Sequence, residues 1–391
     1  MSPSENHSDA GRTCHSDAAL LHLLNGILIF QGNDLHMAKE EKYYEQLADA
    51  NTDRLRVLLK ELPGFCMEYF RSLKNDTEPR TRLEYAKDLK TFFTFLHDSG
   101  SKEFTDTDIH DYTVEMLGRV TKEDLEEYME YITKYEYNGK VRKNAERGSG
   151  KKRKLAALHG LFGYYFREEK IDRDVSILVT PVSLKKKDNK AIIRLDAAET
   201  ANFLDEVDSA DGLTKRQQAF NNRTRVRDSA ICTVFLGTGL RVSELVGLDL
   251  TDINFDDGCL MIHRKGGYDS AVYFGEEVEE ALNAYLEERE KITPAPGNEN
   301  ALFLSLQRKR ISTRAVEKMV SKYAANVTGK HITPHKLRAT YGSSLYQATG
   351  DIYLVADTLG HTSVETTKTY YAQMPEENRR RTANAVKLRK D

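Results

Sequence analysis

From about Asn51 to Ser176, apolar residues recur every three or four positions and nowhere alternate convincingly. This stretch must therefore build its core from amphipathic helices. The segment Thr81 to His97 (TRLEYAKDLKTFFTFLH) sets Leu83, Leu89, Phe92, Phe93 and Leu96 along one stripe, while Arg82, Lys87 and Lys90, with Arg80 just before the segment, occupy other positions. An earlier helix over Leu55 to Leu73 is broken or restarted at Pro63 and Gly64. A third, over Lys122 to Lys134, carries Asp124 and neighbouring glutamates in its first turn, where they complement the helix dipole. A fourth, Lys151 to Glu169, buries Leu155, Leu158, Leu161, Phe162 and Tyr165.

Between the third and fourth helices the chain turns basic: Lys140, Arg142, Lys143, Arg147, Lys151, Lys152, Arg153 and Lys154, opposed only by Glu146. Alone, such a run reads as a solvated loop. Its placement at a helix N-terminus, behind a Gly-Ser-Gly stretch (Gly148 to Gly150) that lets backbone approach a surface closely, favours phosphate instead. The formal net charge of −3 argues against a nucleic-acid partner only as an average, since a local patch can carry the binding.

Residues Leu184 to Ala191 (LKKKDNKA) have no apolar pattern and charges of mainly one sign, and a domain boundary is expected there. Beyond it, Leu195 to Val207 and Asp228 to Leu236 have helical patterns. Leu260 to His263 and Ala271 to Phe274 read as short strands joined through Gly266 and Gly267 as a hairpin, and helices resume to the end. A length of 391 residues accommodates two domains. The expected fold is mainly α: a helical first domain over 51–183, a linker at 184–191, and a mixed α/β domain over 192–391 that is mostly helical, with a small antiparallel sheet and a tail helix. Residues 1–50 are expected to be a partly disordered extension. Within it, the apolar run Ala19 to Phe30 is too short to span a bilayer and lacks a preceding lysine. Met37 opens a polar start followed by helical periodicity, and translation is expected to begin there. Cys14, Cys66, Cys232 and Cys259 lack the paired spacing of a zinc site and are read as reduced thiols of a cytoplasmic protein.

Chemistry concentrates in three segments of the second domain. Gly237 to Asp252 (GTGLRVSELVGLDLTD) is a glycine-bounded turn leading into an amphipathic helix, with Arg241 at its start. Thr333 to Tyr341 (TPHKLRATY) supplies His335 and Arg338, three apart and so on one helical face. Leu359 to Tyr371 (LGHTSVETTKTYY) places His361 after a helix-ending glycine and Tyr370 nine residues on. Two forked guanidiniums can grip the two non-bridging oxygens of one phosphodiester, which a planar bidentate group does better than an ammonium.

These segments resemble the signature boxes of the tyrosine recombinase, or phage-integrase, family. The pattern matches at Arg241 in TGLRVSEL, Lys265 in HRKGG, His335 and Arg338 in TPHKLR, His361 in LGHTS and Tyr370 in TTKTY. RTRLEYAKDLKTFFTFL and KKRKLAALHGLFGYYFREEKI resemble that family's helical core-binding domain, so the likeness covers roughly Asn51 to Gln373. Ala339 and Thr340 follow Arg338 where many members carry His-Ser or His-Thr. The resemblance implies a site-specific recombinase, Xer-like in architecture, that cleaves and rejoins duplex DNA as a homotetramer without metal or cofactor and away from membranes. It implies Tyr370 as nucleophile, Arg241 and Arg338 as the phosphate clamp, His335 as general base, His361 as a hydrogen-bond donor to the phosphate and Lys265 as general acid. Arg80, Arg82, Lys87, Lys151, Lys152 and Arg153 are the expected DNA contacts of the first domain.

The residue types support these roles. A phenol of pKa about 10 needs a base and a charge stabiliser before it attacks. No GxxxxGK loop is present, in keeping with a reaction that stores bond energy in a covalent link. Tyr371 points about 100° away from Tyr370 on a helix. Glu244 reads as a structural partner of nearby Arg or backbone groups, and His263 and His331 as surface or packing residues. Two further readings remain open on sequence alone: a type IB topoisomerase, which uses a similar constellation only to relax supercoils, and a DNA-binding protein without catalysis.

Overall fold

A computed structural model describes residues 42–144, 148–179, 193–209, 211–264 and 267–361, with the side chains of 216, 217 and 220 excepted. The expected linker at 184–191, the Ala19 to Phe30 run, Met37 and the tail helix lie outside them. From Tyr43 onward the chain clusters as one unit around two large hydrophobic cores.

The first core is helical, as the periodicity requires. Helix α1 (Tyr43–Leu59) buries Leu55, Leu58 and Leu59 and stops before Pro63; α2 (Cys66–Ser72) restarts after it. Helix α3 (Pro79–Ser99) starts with proline in its first turn, behind an extended Glu78, as the restriction on a pre-proline residue demands. The expected stripe of α3 is fully buried, Leu89, Phe92 and Leu96 at 0% exposure. After two short helices, α4 (Lys102–Thr105) and α5 (Val114–Arg119), comes α6 (Lys122–Tyr131), closed by a capping box in which Thr121 and Asp124 exchange backbone and side-chain bonds of 2.8 and 3.2 Å. Helix α7 (Ser149–Arg167) completes the lobe. Phe92 sits at its centre, edge-on to Tyr128 of α6 at 5.1 Å and Phe162 of α7 at 6.3 Å.

This lobe is not purely helical. Strands β1 (Lys134–Tyr137) and β2 (Lys140–Lys143) form an antiparallel hairpin: β2 opens the basic run, where a loop was expected, and β1 takes up Lys134, which was expected to end the third helix but lies beyond its last residue, Tyr131. The signal was Asn138-Gly139: both residues take positive φ (50° and 68°), as the two-residue hairpin turn requires. Lys154 also departs from the exposed reading. Its ammonium is buried against the Asp88 carboxylate at 2.7 Å, the two side chains 4% and 2% exposed. Burial pushes the Asp88 carboxyl above the ordinary range, against the pull of Lys154.

In the second lobe, α8 (Ala197–Ser209), α9 (Lys215–Asn221), α10 (Arg225–Thr238) and α11 (Val242–Gly247) precede the sheet. Helix α10 is central, burying Ala230, Ile231, Cys232, Val234 and Phe235 among α8, α12 (Glu276–Arg289) and α14 (Pro334–Thr349). The antiparallel sheet runs β3 (Ile253–Asn254), β4 (Cys259–Arg264), β5 (Tyr268–Tyr273), pairing Cys259 with Tyr273 and Arg264 with Tyr268. Helices α13 (Thr313–Val327) and α15 (Ile352–Thr358) complete the described fold.

Helix α1 begins upstream of the expected boundary at Asn51, and its first turn rests on the second lobe. The Arg310 guanidinium lies 4.5 Å from the Tyr43 ring, and Tyr44 stacks on His263 at 3.6 Å. Cys66, Cys232 and Cys259 are free and buried. Among the described residues no helix is long and apolar enough to cross a membrane.

The buried pair generates a stability prediction. Asp88→Ala should cost about 3–5 kcal/mol in urea unfolding, because it strands the Lys154 charge, whereas Asp88→Leu with Lys154→Met should restore most of the loss. Equal losses in both variants would contradict the assignment.

Candidate active site

The C-terminal end of α15 organises the site. Its last turn closes in a Schellman arrangement: the Gly360 N–H donates to Asp357 O at 2.7 Å and the His361 N–H to Ala356 O at 2.9 Å. Gly360 takes φ +58°, and a Cβ there would overlap the Arg264 guanidinium. The next three carbonyls, which a helix end leaves without intrahelical donors, each accept from a different arginine. Arg264 donates to Thr358 O at 3.1 Å, Arg338 to Leu359 O, and Arg241 to Gly360 O at 2.9 Å.

Each arginine arrives on a rigid element. Arg241 occupies the extended N-cap position of α11. Glu244, one turn on and 4% exposed in its side chain, accepts from the Arg241 backbone N–H and guanidinium, both at 2.7 Å, and lies 3.9 Å from Arg338. It is the structural partner that its neighbourhood suggested. Arg338 projects from α14, 4% exposed, and donates to Gly239 O at 2.7 Å. That carbonyl belongs to the left-handed glycine ending α10, so the glycine-bounded turn read from the sequence positions a functional side chain. Arg241 remains 35% exposed in its side chain and keeps further N–H donors toward solvent.

His335 is exposed in the first turn of α14, and His361 is half-buried beyond α15. Burial, helped by the positive charges of Arg338, Arg241, His335 and Arg264, pulls the His361 imidazole down to about 4. In the absence of an anion it is therefore neutral at pH 7, with one N–H to donate. Four cationic or ionisable side chains around one imidazole describe an anion site.

The structure thus brings Arg241, His335, Arg338 and His361 together. Lys265, Tyr370 and Tyr371 lie outside the described residues. Arg264 was not anticipated. It shares the inward face of β4 with Leu260 and Ile262, is 5% exposed, and has one guanidinium nitrogen with no hydrogen-bond partner among the described residues. The alternation Leu260, Ile262, Arg264 carried that signal in the sequence. In the first lobe, Arg80 and Lys152 are exposed, while Arg153 bridges Glu84 and Asp88 at 3.1 and 2.8 Å. Lys87 pairs with Glu84 at 2.7 Å, and Arg82 and Lys151 are buried. His263 packs against Tyr44 and bonds Asp269 at 2.8 Å.

Comparison with known proteins decides the family. The phage integrase family model matches residues 195–377. The chain is 34% identical over 332 residues to tyrosine recombinase XerS of Streptococcus agalactiae, covering 80% of this chain and 92% of that one. It belongs to the tyrosine recombinases. XerS of Lactococcus lactis subsp. cremoris is 32% identical over 355 residues, covering 86% of this chain and 98% of the relative. The fold is also that of XerH site-specific recombinase bound to its difH substrate (TM-score 0.52, 20% identity, 90% and 98% of the two chains). A lambda integrase fragment bound to a core site gives a TM-score of 0.54 at 18% identity over 78% and 94%.

Two predictions test this geometry of the recombinase. Gly360→Ala should lose about 1–3 kcal/mol or more in thermal unfolding, from the left-handed backbone and the displaced Arg264. His361 has a folded-state pKa below its unfolded value of about 6.5, so the unfolded chain binds the extra proton first. Its contribution leaves stability untouched above pH 6.5 and erodes it as pH falls from 6.5 toward 4. His361→Gln should flatten that decline, and NMR of the DNA-free protein should show the imidazole titrating near 4. A midpoint near the ordinary value would contradict the buried, cation-lined setting of His361.

Proposed function

We propose that this recombinase cleaves one DNA strand by attack of the Tyr370 phenolate on the scissile phosphorus. The observation that carries the reading is the pair Arg241 and Arg338, locked to Glu244 and to the carbonyls of the Leu359–Gly360 turn, with the neutral His361 beside them. As oxygen attacks phosphorus, charge accumulates on the non-bridging oxygens, and prepositioned guanidiniums stabilise it without reorganising at that moment. They supply the positive charge that metal ions supply in other phosphoryl-transfer enzymes. His361 donates its N–H to the same phosphate.

His335 takes the phenol proton as general base, and Lys265 protonates the departing 5′-oxygen. The P–O5′ bond breaks as the P–O(Tyr) bond forms, leaving a 3′-phosphotyrosine and a free 5′-hydroxyl. Rejoining is the same displacement run with an incoming 5′-hydroxyl, so no external energy is consumed. Exposed cations of the first lobe, Arg80, Lys152 and Arg153 foremost, hold the duplex backbone; Lys87, Arg82 and Lys151 add positive potential from less exposed positions. Four protomers assemble around two duplexes, with the tail from Glu376 to Asp391 docking on a neighbouring subunit. The free thiols of Cys66, Cys232 and Cys259 suit a cytoplasmic enzyme.

Incubation with a library of nicked suicide duplexes, followed by sequencing of covalently trapped fragments, tests the chemistry and finds the site together. Tyr370→Phe should abolish trapping, Tyr371→Phe should retain it, and Arg338→Ala should slow it by about 10²–10³-fold or more. A covalent adduct on Tyr370→Phe would overturn the assignment.

A further inference from the structure

The β1–β2 hairpin has no part in the chemistry above, and its construction points to a ligand. Its inner face is anchored: Tyr135 lies against Tyr131 at 6.0 Å and beneath the Lys154 ammonium at 5.1 Å, and Tyr137 sits 5.9 Å from the Lys90 ammonium. Its root is fixed by Asn144, which donates from its backbone to Thr133 O at 3.0 Å and from its side chain to Ile132 O at 2.7 Å. Gly150, in the first turn of α7, has no room for a Cβ because the Asn144 side chain fills that space. The tight Asn138-Gly139 turn then fixes register. A short two-stranded ribbon has little stability alone, so these interactions hold it at a set position beside the α7 N-terminus.

The surface it offers is one that folding does not favour. All of β2 is exposed, Val141 at 62%. Lys134 lies directly opposite Lys143 in the ladder, a like-charge pairing that destabilises a hairpin. Lys140 and Arg142 add two more cations, and none of the four pairs with a carboxylate among the described residues. Only Glu136 opposes them within the strands. By the register of the ladder, Lys134 and Lys143 share the outer face with Glu136 and Val141, while Lys140 and Arg142 lie on the tyrosine face and are exposed along β2. An anchored ribbon that carries uncompensated cations on both strands and both faces fits a polyanion that surrounds it, and a two-stranded antiparallel ribbon is narrow enough for the major groove of B-DNA.

We propose that this hairpin is a DNA-binding ribbon: it enters the major groove of the duplex held by the first lobe, and Lys134, Lys140, Arg142 and Lys143 reach phosphates on either side. The proposal rests on the reading that the chain holds duplex DNA, and it adds an element to that grip. The ribbon lengthens the footprint and contributes affinity, with no role in bond breakage.

The test uses the full chain and a fluorescently labelled random-sequence duplex, with affinity measured by anisotropy across a range of KCl. Replacing all four cations by alanine should make the plot of log affinity against log salt shallower by about 3–4, near 0.9 for each phosphate no longer neutralised, and weaken binding at least tenfold at low salt. The melting temperature should hold or rise slightly, because the cations stabilise nothing within the fold and Lys134 and Lys143 repel each other. A photo-crosslinking residue at Val141 should join to the duplex. An unchanged slope, or no crosslink from Val141 under conditions where the chain is saturated with duplex, would overturn the ribbon. Binding with the expected slope change but no covalent trapping would remove the catalytic reading and leave the ribbon standing; a chain that binds no duplex removes both.

Discussion

Three guanidiniums on the C-terminal end of one short helix tie the elements of the second lobe together. The carbonyls of Thr358, Leu359 and Gly360 carry the negative end of the α15 dipole, and Arg264, Arg338 and Arg241 each take one. These arginines come from a strand, a long helix and the start of a short helix, so a single turn ties three distant parts of the chain together. Crowding of like charges is tolerated because the carbonyls and the buried Glu244 carboxylate answer it. The result is a positive site whose geometry exists before DNA arrives, which is the condition for electrostatic stabilisation of a phosphoryl-transfer transition state.

The same constraint explains the histidine. Burial, reinforced by these cations, holds the imidazole neutral before DNA arrives and leaves it an N–H to donate. Bringing a phosphodiester into the site cancels much of the surrounding positive potential, so substrate binding and the protonation state of His361 are linked in sign: the anion raises what the arginines lower.

Most of the architecture was legible in the sequence because it follows from periodicity. The stripe on α3, the break at Pro63, the capping aspartate of α6 and the strands around Gly267 all appear where residue type dictates. The candidate catalytic set was read from a different signal: Arg, His and Tyr in a fixed order are too unusual to pass for packing, and the structure gathers Arg241, His335, Arg338 and His361 of that set. What escaped were features whose meaning depends on a partner far away in sequence. Lys154 looks like one more cation in a basic run until α3 brings Asp88 against it, 66 residues away. Arg264 looks like the flank of Lys265 until α15 delivers its carbonyl. The β1–β2 ribbon was hidden by its own charge, since lysines and arginines on short strands read as loop even when Asn-Gly marks the turn. Helix α1 reaches back to the second lobe through Tyr43 and Tyr44, an approach that no local pattern announces.

If the arginines act by neutralising the scissile phosphate, their importance must depend on the charge of that phosphate. A DNA substrate with a single uncharged methylphosphonate at the cleaved position separates this from every structural role. Cleavage by an Arg338→Ala variant, absent or barely measurable on the natural linkage, should recover substantially on the methylphosphonate. An equal loss of activity on both substrates would show that the guanidiniums do something other than hold charge.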